Sequence, residues 1–148
     1  MSLKNRKRYY VVIFAFAFLL IASVVTIGVL ANSLLKKEAK EPTYNIGGAE
    51  LASLPSECNE DLSLINYSYT DNSTNIQKMY IYETEKGEIL IAEYVEYLIS
   101  NKNFSYDGTS SPNHCSLSQT YSNEDSLVVT LESTTSLLTV TLTYTYGE

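Results

Sequence analysis

An N-terminal transmembrane helix followed by a small α+β domain is the fold class this chain predicts. Three observations carry it. Tyr9–Ala31 is a run of twenty-three residues without a charge. Leu137–Tyr146 alternates strictly, with Leu138, Val140, Leu142, Tyr144 and Tyr146 on one face and Thr139, Thr141, Thr143 and Thr145 on the other, the period of a half-buried strand. Between them Ile91, Tyr94, Val95 and Leu98 fall at i, i+3, i+4 and i+7, the period of a helix buried on one side.

The charge-free run spans about 34 Å as a helix, enough for a ~30 Å hydrocarbon core with some tilt. Its two hydroxyls, Ser23 and Thr26, can each bond back to a carbonyl one turn earlier and so cost little in lipid. Tyr9 and Tyr10 belong at the interface. Residues 1–8 form a basic tail, and 9–31 the membrane span. A cleavable signal peptide competes with this reading, because Val29-Leu30-Ala31 offers a small residue at a cleavage position. Its apolar region would then be well beyond the usual ~7–15 residues. The chain lacks a cysteine near the end of the run for lipid modification. It also lacks the Gly-Phe site and early Glu of a type IV prepilin.

Lys4, Arg6, Lys7 and Arg8 precede the run, and Lys36, Lys37 and Lys40 follow it. Four basic residues against three, with the larger set abutting the membrane, favour a cytoplasmic N-terminus. The C-terminal domain is then extracytoplasmic, in a single-pass protein of the cell membrane.

Asn32–Glu41 is expected to prolong the helix for a turn or two. Glu41 to Ser56 carries Pro42, Gly47-Gly48 and Pro55 with little periodicity, so 32–57 is expected to be a juxtamembrane segment and linker, and 58–148 the domain. Leu62–Thr70 reads as a strand with Leu62 and Leu64 on one face and Ile65, Tyr67 and Tyr69 on the other. Asp71–Asn75 is a turn signal, and Ile76–Glu83 a second strand with Tyr80 and Tyr82 facing one way and Met79 and Ile81 the other. The helix follows, with Glu93, Glu96 and Ser100 opposite its apolar stripe, ending near Asn101–Asn103. Tyr106–His114 is a loop, and Ser116–Ser122, Ser126–Glu132 and Leu137–Tyr146 are strands. The order is ββαβββ: an antiparallel sheet with one helix on a face and the Thr side of the last strand in solvent.

Composition excludes several functions. Residues 41–148 hold sixteen acidic residues and three lysines, a net charge of −13, which repels nucleic acid. No phosphate-cradling glycine loop and no Gly-x-Ser-x-Gly elbow occur. The single His114 and the lack of a Cys-x-x-Cys pair leave no metal site in view and no cofactor is implied. Glu93 and Glu96 share a helix face, which a solvated surface explains better than a glycosidase pair. A small envelope hydrolase using carboxylates or His114 is the alternative from another class. Cys58 and Cys115 are a disulfide candidate on the outer side, closing a loop worth roughly 4 kcal/mol in the chain-entropy model; two buried free thiols are the other reading. Asn-x-Ser/Thr sites at Asn66, Asn72 and Asn103 matter only in a eukaryotic secretory pathway.

Tyrosine is the unusual feature: eleven of thirteen lie beyond the run, and there is no Trp. Tyr67, Tyr69, Tyr80 and Tyr82 can form a ladder across the first hairpin. One reading makes them an interaction surface for an envelope protein, a peptide or a glycan. The other makes them cross-strand pairs that fill the core.

Tyr80-x-Tyr82, Ala92-Glu93-Tyr94-Val95-Glu96-Tyr97-Leu98, Phe104 and the closing Thr-rich hairpin together resemble small uncharacterised extracytoplasmic domains that Gram-positive bacteria attach to an N-terminal membrane anchor. The likeness covers Tyr80 to Tyr146 and has no invariant chemical motif. It implies an envelope-facing α+β domain and brings no functional residues. A non-enzymatic, membrane-anchored domain with a binding role in the cell envelope is the function these features point to.

Overall fold

The computed structural model describes the backbone of residues 3–147 and the side chains of residues 13–147. The side chains of Lys4, Arg6, Lys7, Arg8, Tyr9 and Tyr10, on which the orientation and the interfacial ring positions rest, lie outside the described residues. Two compact units divide the chain, Met1–Lys36 and Lys37–Glu148.

The first unit is helical. Helix α1 runs Leu3–Glu38, and its segment from Ile13 is long and apolar enough to cross a membrane. Phe14, Phe16, Phe18, Leu19 and Val24 are all exposed along it. Ser23 Oγ donates to the Leu20 carbonyl at 2.7 Å and Thr26 Oγ1 to the Ala22 carbonyl at 2.8 Å. Both hydroxyls therefore bond within the helix, as a helix in lipid requires.

In the second unit, strict alternation decides the sheet. Strands β3 (Ser63–Asp71), β4 (Asn75–Glu83), β6 (His114–Thr120), β7 (Ser126–Ser133) and β8 (Leu137–Thr145), with the two-residue β5 (Ser105–Tyr106), pair antiparallel in the order β3-β4-β8-β7-β6-β5. Register places Tyr67, Tyr80, Val140, Leu131 and Cys115 in one row across five strands. That row lies on the inner face, where Val140 and Leu131 are fully buried. Thr139, Thr141 and Thr143 share the other, open face and are part-exposed. The predicted α+β class and the ββαβββ core are present, with β5 added.

Helix α3 spans Gly87–Lys102 and buries Leu90, Ile91, Tyr94, Val95, Tyr97 and Leu98 against β6 and β7. Asn103, in the left-handed conformation at φ 58°, ends it. The Phe104 N–H then bonds the Leu98 carbonyl, which satisfies an end group of the helix.

One helix cannot cover this sheet. Six strands about 4.8 Å apart make a face roughly 24 Å wide, and a helix with side chains is about 10–12 Å across. The remainder is covered by the stretch expected to be linker. Strands β1 (Thr43–Ile46) and β2 (Ala49–Ala52) form a hairpin, followed by the short helix α2 (Leu54–Glu57). Tyr44, Ile46, Leu51 and Leu54 are 3 % exposed or less. The linker reading of 32–57 is therefore corrected: residues 43–57 belong to the domain, and the compact unit begins at Lys37 rather than 58.

A second correction concerns β3. A bulge between Leu64 and Asn66 breaks the register, so Leu64 shares the inner face with Tyr67 and Tyr69 while Ile65 is 45 % exposed. An inserted residue inverts the alternation on one side of it.

The hairpin turn depends on Gly47, at φ +56°, where a Cβ would overlap the Tyr144 ring. Gly48, at φ +85°, faces open space. Both positive angles suit a type I′ turn. Gly47→Ala is expected to cost about 1–2 kcal/mol for the backbone and a further ~1–3 kcal/mol for overpacking; Gly48→Ala should carry only the backbone cost. Urea unfolding of the two variants checks the difference.

Candidate functional site

The four tyrosines proposed as a surface divide into two pairs. Tyr80 and Tyr82 are 1 % and 3 % exposed. Their register sets them beside Val140 and Leu138, and the Tyr44 ring lies 4.5 Å from that of Tyr80. They are core residues, and an interaction role for them is corrected on that ground. Tyr67 packs on Tyr80 at 5.1 Å between ring centroids and is half-buried, whereas Tyr69 is half-exposed.

Tyr67 and Tyr69 line a shallow groove of about 280 Å³ with Asn45, Gly47 and Lys78, between the tip of the β1–β2 hairpin and the inner side of β3. Local structure fixes each part. The I′ turn brings Asn45 and Gly47 to the rim. Cross-strand register sets Lys78 opposite Tyr69, with its Nζ 5.9 Å from the ring centroid, within cation–π range. The Tyr69 hydroxyl donates to Asp71 Oδ2 at 2.9 Å, which raises its pKa. Burial, then Glu38, pushes Tyr67 up to about 12. Both phenols are neutral donors at pH 7. The groove therefore offers two aromatic rings, an amide and one cation to a ligand.

The disulfide is not formed: Cys58 and Cys115 are free. Cys58 caps α2 and directs its thiol at the Leu90 carbonyl of α3, 3.9 Å away. Cys115 instead faces the core from β6, opposite Leu131. Each thiol has its own neighbours, so no bond joins them. Burial, followed by the charge of Glu93, pushes Cys58 up to about 12, and burial raises Cys115. Such thiols are weak nucleophiles.

His114 begins β6 and meets Glu132 of β7, with Nδ1 3.1 Å from Oε1. Both side chains are exposed, and Glu132 is the only side-chain partner of the ring among the described residues. A pair of this kind is a surface contact, without the nucleophile that acyl transfer requires. Glu93 and Glu96 project from one side of α3 into a groove that they share with Glu57 and Tyr97; they do not face each other across a cleft as a glycosidase pair does. Among the described residues no group of three or more His, Cys, Asp or Glu could hold a metal ion.

Two polar clusters escaped sequence reasoning. In the first, Tyr44 and Tyr82 share a hydrogen bond at 2.8 Å, and Tyr44 also accepts from the Leu54 N–H. Tyr94 donates to the Ala52 carbonyl at 2.7 Å and Tyr97 accepts from the Ala52 N–H at 2.9 Å. The second holds Asp125, which accepts from the Tyr144 hydroxyl, the Gly147 N–H and Asn123. These bonds, that of Tyr144 first, hold its carboxylate below the usual range.

Burial also raises Tyr44 and Tyr94, and takes Tyr82 up to about 12. In the unfolded chain Cys ionises near pH ~8.5 and Tyr near ~10, so above those values the folded state binds more protons and stability falls as pH rises. Urea midpoints are expected to hold from pH 7 to about 8.5 and to drop between there and about 12. Labelling at pH 8 without reductant should find two thiols per denatured chain. Native Cys58 should react at least about tenfold more slowly than a free cysteine, since burial leaves it a smaller thiolate fraction. Comparison with protein-family models, curated proteins and solved structures finds no match to this chain.

Proposed function

We propose that this protein is a single-pass, membrane-anchored binding domain, with its N-terminus cytoplasmic and residues 37–148 outside the membrane. The observation that carries the reading is the pairing of two opposite surfaces in one chain. One is an apolar helix whose described side chains, from Ile13 on, are not buried by protein. The other is an acidic unit, with a net charge of −13 over residues 41–148, that suits water and not lipid. The apolar run, well beyond the usual ~7–15 residues of a signal peptide, supports a retained anchor over a cleaved one. The resemblance to anchored extracytoplasmic domains of Gram-positive bacteria supports a cell-envelope location. The partner is an envelope component that meets the groove of Tyr67, Tyr69 and Lys78.

Protease added to intact cells is expected to remove the acidic unit and leave a membrane-embedded fragment of about the length of α1. Protection until the membrane is breached would reverse the orientation, and recovery of a soluble chain beginning after Ala31 would replace the anchor with a signal peptide. In crosslinking from intact cells, Tyr69→Ala and Lys78→Ala should lower partner capture several-fold, with stability lowered by no more than about 1 kcal/mol. Unaltered capture would remove this groove from the interaction.

A further inference from the structure

The two sides of the six-stranded sheet end differently. At one side β5 has two residues, and the chain beyond it turns back through the Ser111–His114 bridge. This is a short edge, of the kind that discourages pairing. At the other side β3 runs nine residues and contains no Lys, Arg or Pro. The ladder to β4 uses the N–H and C=O of alternate residues only, so the rest point outward from β3 without a strand to meet. The bulge lies near its start, and from Asn66 to Asp71 the register is regular. That run is about 20 Å long.

We propose that an extended segment of a partner polypeptide docks against Asn66–Asp71 as a seventh strand. One of its side chains enters the groove of Asn45, Tyr67, Tyr69 and Lys78. The inference rests on the binding-domain reading and names the class of partner. A polypeptide fits because the outward N–H and C=O groups repeat at the strand spacing, which a glycan does not match. Charge selects one of its ends. Asp71 closes one end of the run, whereas the acidic Glu60 ahead of the strand is already taken up by Lys86 at 2.7 Å. The partner strand is therefore six or seven residues, β-branched in the middle, without Pro, and with Lys or Arg at the end that meets Asp71. A second copy is disfavoured, since each carries a net charge of −13 over residues 41–148.

The test uses the full chain in lipid nanodiscs and a labelled peptide of alternating Thr and Val between terminal Lys residues. The expected result is saturable binding with slowed amide exchange confined to β3. N-methylation at alternate peptide residues should weaken it at least tenfold, as should replacing the terminal Lys by Glu. Asp71→Lys should narrow the Lys-over-Glu preference at least fivefold. Binding that leaves β3 exchange unchanged, or that tolerates N-methylation, would overturn the added strand. So would protection of β3 that rises with protein concentration alone, which would give the edge to a second copy. If no peptide binds while Tyr69-dependent capture in cells persists, the strand proposal fails and the binding domain stands; loss of both ends both.

Discussion

Ala52 is where the two covers of the sheet, the β1–β2 hairpin and α3, are joined. Its carbonyl accepts from Tyr94 and its N–H donates to Tyr97, so both backbone polar groups of one residue are held by α3. Two residues on, the Leu54 N–H is held by Tyr44, whose hydroxyl also meets Tyr82 of β4. The segment from Tyr44 to Leu54 lies against the core, and buried backbone groups there need partners that a strand ladder cannot supply. Tyrosine suits the position because its ring fills apolar space and its hydroxyl completes the bond. Phenylalanine would fill the same volume and leave those groups bare.

This accounts for the composition. A sheet wider than one helix needs a second cover, and the cover is a short hairpin with few apolar residues of its own. Hydroxyl-bearing rings on the sheet and on α3 make that thin layer adhere. The Asp125 cluster does comparable work at the end of β8, where Tyr144 both supports Gly47 from below and donates to the carboxylate. Tyrosine thus acts as core filler and as fastener in one residue, while Tyr69, Tyr106 and Tyr146 stand exposed.

The legible parts of the sequence are those with a long, unbroken period. Leu138 to Tyr144 alternates over a full strand, and Ile91 to Leu98 repeats over two turns; both were found where expected. Ile65 was placed wrongly because a bulge has no signature in a run that alternates on either side of it. The hairpin was missed although Gly47-Gly48 sits between Tyr44-Asn45-Ile46 and Ala49-Glu50-Leu51, a two-residue turn between short alternating runs. Four-residue strands are too brief for periodicity to outweigh nearby prolines. Of the candidate site, Tyr67 and Tyr69 were visible in the sequence. Lys78 and Asn45 join them only through cross-strand register and the turn, which tertiary pairing sets.

The pairing of β4 with β8 has a consequence for how the chain acquires its shape. Strand β8 lies inside the sheet, between β4 and β7, and Gly47 rests on its Tyr144, far away in the sequence. Contacts of such sequence separation close slowly. A chain made from its N-terminus onward thus has Tyr44, Tyr80, Tyr82, Tyr94 and Tyr97 in hand, yet an incomplete sheet to place them on, until β8 with Tyr144 arrives. During that interval β3 and β4 form a hairpin with two bare edges, vulnerable to stray pairing. The acidic surface, through mutual repulsion of unfinished copies, keeps such chains apart until β8 closes the sheet.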